Sequence, residues 1–452
     1  MDDTPDDDSS RRMRTPLVVG VLIFAVTVTA AVVGIPFVFG DPIVPDQPDD
    51  GARSLTELWV SETIREVQGN HHAVVVGRVA NQSLVFAPIS GTGHHHDSGT
   101  STDHDHDDNS SECALVALNG TDGATRWSHR VPAANCTIHS IADPTFADID
   151  GDGSPEVVAA TTENVVKAFD PMTGAVTFRY NLSSYGYTKP MVANVTGDET
   201  PELIVVDVKG SVFVVRPDGT TVWQDLHRSY TWGQPAVGAF TSTDRTELFV
   251  ALGNGRLMLY DATDGSVRWN RTLRGGGSIT WTTSGQADSD TAREIVVSTT
   301  RGLVRLYDGG TGALQWSQDL GRFAAVDAFG DGDGDGTAEI YAVANDGTVR
   351  SLTAATGQVE WQRNVTATPV QMMPPPVLGD LTGDGTPELV VAANSGRVAV
   401  LDPTNGTVLA AYDRDVPIWT HPALADTDGD DGLEIVVMYG NGEVVALEYR
   451  QG

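Results

Sequence analysis

DIDGDGSPEVVAAT, residues 148–161, decides the fold, because variants of it return at a nearly fixed interval down to the C-terminus. Its first half sets Asp148, Asp150, Asp152 and Glu156 at positions 1, 3, 5 and 9 of a glycine-rich turn, and its second half reads as a buried strand. The glutamate recurs as Glu202, Glu247, Glu294, Glu339, Glu388 and Glu434, at successive spacings of 46, 45, 47, 45, 49 and 46 residues. A period of about 45 residues with several short strands per unit predicts a propeller blade.

A second marker keeps the same beat, a turn glycine followed four residues later by an aromatic: Gly123/Trp127, Gly174/Phe178, Gly219/Trp223, Gly265/Trp269, Gly312/Trp316 and Gly357/Trp361. Gly406 keeps only the glycine, followed by Ala410. Between these markers each unit reads as four strands rich in Val, Ile and aromatics, separated by Asp/Gly corners. The last unit stops one strand short, after EVVALEYR at 443–450. Trp59 lies 24 residues before Ser83, an interval that also separates Phe178 from Glu202 and Trp223 from Glu247, so residues 56–62 are expected to complete the last blade. The expected fold is all-β, an eight-bladed propeller closed by its two chain ends, which removes the open sheet edges. Seven blades with a loose N-terminal extension is the alternative.

Residues 17–39 carry no charge in 23 positions, enough for a helix to cross a hydrocarbon core of about 30 Å. Arg11, Arg12 and Arg14 precede this run while Asp41, Asp46, Asp49 and Asp50 follow it, so the positive-inside rule puts the N-terminus in the cytoplasm. The expected organisation is a cytoplasmic tail (1–15), one transmembrane helix (16–40), an extracytoplasmic linker stiffened by Pro42, Pro45 and Pro48 (41–55) and the propeller (56–452) with an insertion at 90–112. The protein is thus expected in the cell membrane as a single-pass protein with its propeller outside; a cleaved signal peptide is the alternative. Nine N-x-S/T sequons suit a glycoprotein in that location. Cys113 and Cys136, the only cysteines, suit one disulfide in an oxidising compartment, or else two buried thiols.

The net charge is −33, with only three lysines (Lys167, Lys189, Lys209) among 28 basic residues. Such an acidic surface stays soluble where salt screens its self-repulsion, as in a halophilic protein, and it disfavours nucleic acid and anionic membrane surfaces, so no nucleic-acid partner is expected.

At these residues the chain resembles two repeat families. DIDGDGSPEVV, DGDGDGTAEIY, DLTGDGTPELV and DTDGDDGLEIV look like FG-GAP or VCBS-type repeats, whose acidic turns bind calcium. LYDATDGSVRW and LYDGGTGALQW are similar to the tryptophan-docking repeats of pyrroloquinoline-quinone-type propellers, which implies that the aromatic wedges between neighbouring blades. Quinoprotein dehydrogenases of that kind commonly use an adjacent cysteine pair, and Cys113 and Cys136 are not adjacent. The sequence also has no C-x-x-C-H, G-x-S-x-G or H-E-x-x-H, so no catalytic residue is assigned.

Calcium takes six to eight oxygens, which alternate carboxylates on a tight turn can supply. Four turns fit as structural calcium sites: Asp148/Asp150/Asp152/Glu156, Asp331/Asp333/Asp335/Glu339, Asp380/Asp384/Glu388 with Thr382 in third place, and Asp426/Asp428/Asp430/Glu434. Those at Asn194/Thr196/Asp198/Glu202 and Gln286/Asp288/Asp290/Glu294 are diluted, and Ala239/Thr241/Thr243/Glu247 has lost its acids. Merely solvated turns are the plain alternative. The insertion gathers His94, His95, His96, His104 and His106 among aspartates, a composition suited to transition-metal capture or to a solvated acidic loop. Propeller topology puts this insertion and the blade-to-blade connections on one face, opposite the acidic turns. Tyr187, Trp232, Trp281, Trp419 and His421, with Tyr185, Tyr230, Met372 and Met373, fall on that face, where they either bind a ligand at the channel or pack beneath the inner strands. The leading functional reading is a non-enzymatic binding or scaffolding module for an extracytoplasmic protein or glycan. A quinone-dependent oxidoreductase and a transition-metal capture protein are its rivals.

Overall fold

Among the described residues there are eight four-stranded antiparallel sheets, seven of them in chain order. The computed structural model describes residues 53–63, 67–93, 113–198, 200–242, 245–367 and 369–451. The expected membrane span and the five insertion histidines lie outside these residues. Among the described residues, no helix is long and apolar enough to cross a membrane.

The second blade shows why the sequence folds this way. Its strands are Thr145–Ala147, Glu156–Thr161, Val165–Phe169 and Val176–Asn181. The second strand is buried at every residue, as are its counterparts beginning at Glu202, Glu247, Glu294, Glu339, Glu388 and Glu434, because each is sandwiched between neighbouring sheets. That is why these strands read as continuous apolar runs, whereas the outermost strand, covered on one side, alternates.

Closure is made by the N-terminal strand. Ser54–Val60 pairs antiparallel with Val444–Arg450, with Leu55 opposite Tyr449 and Trp59 opposite Ala446, and supplies the outer strand of the eighth blade. Ser61 N–H then donates to Val444 O at 2.8 Å and Val444 N–H to Ser61 Oγ at 2.9 Å, carrying the chain inward toward the first blade.

The tryptophans join the blades. Each Nε1–H donates to a carbonyl in the next blade: Trp59 to Gly120, Trp127 to Pro171, Trp223 to Ala262, Trp269 to Gly309, Trp316 to Ala354 and Trp361 to Pro403, at 2.7–2.8 Å. The indole also lies flat on that blade's turn glycine. A Cβ at Gly123, whose φ is +70°, would sit 2.5 Å from the Trp59 ring, so the glycine serves both a left-handed turn and a close approach. Thus a glycine and tryptophan four apart in sequence do not dock on each other; each glycine receives the aromatic of the preceding blade. Phe178 has no N–H to donate, and Gly219 in the following blade meets nothing within 4 Å. Ala410 is explained by closure: the eighth blade's third and fourth strands come from opposite chain ends, leaving no turn between them for a tryptophan at 410 to dock on.

Candidate functional site

The connections between first and second strands carry the acidic turns. In all seven, the buried glutamate accepts a hydrogen bond from the backbone N–H seven residues before it: Ile149 to Glu156 (3.1 Å), Val195 to Glu202 (2.9 Å), Phe240 to Glu247 (2.8 Å), Ala287 to Glu294 (2.6 Å), Gly332 to Glu339 (3.0 Å), Leu381 to Glu388 (2.9 Å) and Thr427 to Glu434 (2.6 Å). The glutamate is therefore a turn clamp whether or not aspartates accompany it, which accounts for Glu247. Such charge-assisted bonds contribute about 1.5–3 kcal/mol each.

What the other carboxylate oxygen meets distinguishes the turns. Thr196 and Thr241 donate their hydroxyls to Oε1 of Glu202 and Glu247. Where aspartate holds that place, like charges gather instead. One oxygen each from Asp148, Asp150 and Glu156 lies within 4.8 Å of the others, and the same holds for Asp331/Asp333/Glu339 and Asp426/Asp428/Glu434. Burial first, and then Asp333 and Asp331, push Glu339 up to about 7, although the Gly332 N–H works the other way. Glu156 and Glu434 are raised for similar reasons. Asp152, Asp335 and Asp430, the fifth-position residues, accept backbone N–H bonds within their own turns from Ser154, Thr337 and Gly432. The structure adds a group the sequence rates as diluted, Asp288/Asp290/Glu294, where Glu294 Oε1 is buried with no hydrogen-bond partner among the described residues. Asp380, Asp384 and Glu388 form no such group among the described residues. Asp380 and Asp384 accept N–H bonds from Gly385 and Thr386.

The opposite face is built by the blade-to-blade connections. Cys113 and Cys136 are joined there by a disulfide with Cα atoms 5.4 Å apart, at one end of the insertion. The other end is held by a short pairing of Val67–Gln68 with Thr92–Gly93. Of the aromatics, Tyr187, Tyr230 and Trp232 form one run, with ring centroids 6.0 and 5.6 Å apart; Tyr230 is 42% and Trp232 37% exposed. Trp281 lies instead against the buried cores of two blades, and Trp419 stands beside Gly440 with its indole nitrogen buried and without a partner among the described residues.

Sequence reading misses a cluster beside this run. His71 and His72, from the connection entering the first blade, meet His139, from the next connection. Tyr187 packs edge-on to His72 and His139, with centroids 5.5 and 5.1 Å away. His72 Nδ1 donates to Asp143 Oδ1 at 2.9 Å, and Ala73 N–H to the same oxygen at 2.9 Å. Burial opposes ionisation of Asp143, but these bonds and the fields of His72 and His421 hold its carboxyl below its usual value. His421 also acts on Asp327 of the sixth blade's inner strand, whose carboxyl is raised by desolvation against the fields of His421 and Lys189. The only sequence signal for the cluster is the pair His71-His72 just ahead of a strand, which no repeat marker picks out.

The repeat family described as "Outer membrane protein assembly factor BamB" matches residues 114–278, 208–322 and 281–452. No curated protein matches the chain by sequence. Among solved structures, it is similar to BamB from Moraxella catarrhalis, at 16% identity and a TM-score of 0.56 over 87% of this chain and 97% of that one. The V. cholerae biofilm matrix protein Bap1 aligns at 13% identity and a TM-score of 0.63 over 88% and 91%. The computationally designed Ika8 protein aligns at 16% identity and 0.58 over 87% and 99%. At these identities the likeness is one of fold.

Proposed function

We propose a protein-binding, scaffolding function for this chain, which belongs to the PQQ-like repeat family described as outer membrane protein assembly factor BamB. From that membership, the reading is a membrane-anchored propeller whose channel face holds an extracytoplasmic protein partner. The observation that carries it is the solvent-facing pair Tyr230 and Trp232 on that face. Tyrosine and tryptophan are the residues that most often dominate protein interfaces, and they offer a large contact area at low entropic cost. The disulfide and the sequons support an oxidising, external location, with the charge-free run at 17–39 as the anchor.

Calcium enters this reading as a structural ion. The resemblance to FG-GAP and VCBS-type turns and the gathered carboxylates of Asp148/Asp150/Glu156, Asp331/Asp333/Glu339 and Asp426/Asp428/Glu434 support it, since a hard cation satisfies oxygens that otherwise repel one another. The turns holding Thr196 and Thr241 satisfy the glutamate with a hydroxyl and do not require the ion.

Replacing Tyr230 and Trp232 together by alanine tests the binding reading. Loss of two hot-spot aromatics at about 2 kcal/mol each is expected to weaken partner binding by about a hundredfold to a thousandfold. Melting curves of the double variant check that it stays folded, since both rings are partly packed, at 42% and 37% exposure. Unchanged recovery of the same surface partner by the double variant would count against this face as the binding surface.

A further inference from the structure

One ring nitrogen from each of His71, His72 and His139 lies within 4.8 Å of one from each of the others. Two of the rings are fixed from behind. His71 Nδ1 lies 2.8 Å from the Gly69 carbonyl, which can only accept, so the proton sits on Nδ1 and the lone pair on Nε2. His72 Nδ1 is held by Asp143 in the same way, leaving the lone pair on Nε2. That atom is buried in a residue only 3% exposed and has no hydrogen-bond partner among the described residues. The third ring approaches from the neighbouring connection, with His139 Nδ1 3.0 Å from His71 Nε2.

A purely structural role explains this arrangement poorly. A packed core histidine normally has both nitrogens satisfied, and desolvating three imidazoles together is costly when one buried lone pair gains nothing from it. A carboxylate or backbone carbonyl behind the ring is, in contrast, how metal-binding imidazoles are oriented and their tautomers set.

We infer that His71, His72 and His139 bind one divalent transition-metal ion at the channel mouth, with Asp143 and the Gly69 carbonyl orienting two of the ligands and a fourth position left to water or to a side chain of a bound partner. Three imidazoles suit zinc, cobalt, nickel or copper far better than calcium. This site is separate from the acidic turns on the opposite face and does not depend on the scaffolding reading.

The test uses the full-length chain with His94, His95, His96, His104 and His106 all changed to Asn, so that the insertion contributes no imidazole, and with excess calcium present to occupy carboxylates. Titration with Co(II), followed by its visible ligand-field absorption, is expected to show one equivalent bound and displaced by zinc. His139→Ala in that background should abolish these bands, and Asp143→Asn should keep the stoichiometry while weakening affinity 10- to 100-fold. Metal-free melting curves check folding; if His139→Ala unfolds, His71→Asn carries the same test. Absence of a one-equivalent site in the five-histidine variant, or equal affinity after loss of His139 or His71, overturns the assignment.

Discussion

Trp59→Ala is expected to destabilise the ring by about 3–5 kcal/mol, the range for losing a buried tryptophan, and to open the first and eighth blades together. Trp59 is 6% exposed and lies in a core shared by the two blades, with Val85, Val116, Val436 and Ala446 among its neighbours. It also supplies the bond to Gly120 O and the surface against which Gly123 turns. Among the described residues no other strand closes the ring, so the loss falls on this one seam. Thermal melting checks the magnitude and limited proteolysis the location. New cleavage sites should fall in residues 67–130 and 423–451 before any appear in the fourth or fifth blade. A variant that melts with the parent would show that the N-terminal strand is an appendage and not a closing element.

Removing calcium is expected to have the second large effect. An ion that binds only the folded state adds about 2.7 kcal/mol per site at a hundredfold excess over its Kd, so three occupied turns sum to about 8 kcal/mol. Chelation should therefore lower the melting temperature strongly at matched ionic strength, and calcium should restore it. Asp331→Asn with Asp333→Asn gives a sharper test, because the sign of its effect should reverse. In calcium the double variant loses one site's share and melts below the parent. In chelator it has shed two like charges beside Glu339 and melts at or above it. pH provides a further check in chelator. Glu339 has a folded pKa near 7 against an ordinary 4.5, so the folded chain holds this proton more tightly than the unfolded one. Its share of stability is present at low pH and is lost as pH rises from about 4.5 through 7, a trend that calcium should flatten by replacing the proton. Identical melting with and without chelator would reduce these turns to an acidic surface.

The blade count was legible because both markers are periodic and because Trp59 stands at the interval that other aromatics keep. The role of the recurring glutamate was only partly legible. Its spacing fits a metal ligand and a clamp on the N–H seven residues earlier equally well, and only the survival of Glu247 in a turn without acids hinted at the second. The resemblance implies a tryptophan wedged between blades, but its partner, the next blade's glycine, lies 41–64 residues away and is set by ring geometry. The histidine cluster was hidden for a related reason. His71, His72, His139, Asp143 and Tyr187 come from three successive connections that carry no repeat, and only the packing of neighbouring blades brings them together. Trp281 and Trp419 were placed with the ligand face by topology alone. The backbone puts them on the correct connections, but the side chains pack against strands and a glycine, which strand order does not disclose.

The central claim, that the channel face holds a protein partner, is tested most directly by site-specific photocrosslinking on intact cells. A photoreactive residue placed at Trp232 samples the channel face; one placed at Asp218, in an exposed turn of the third blade between strands three and four, samples the opposite face. The account predicts one discrete higher-mass adduct from position 232, lost when Tyr230 is also changed to alanine, and none from position 218. No adduct from 232, or the same adduct from both positions, would contradict it.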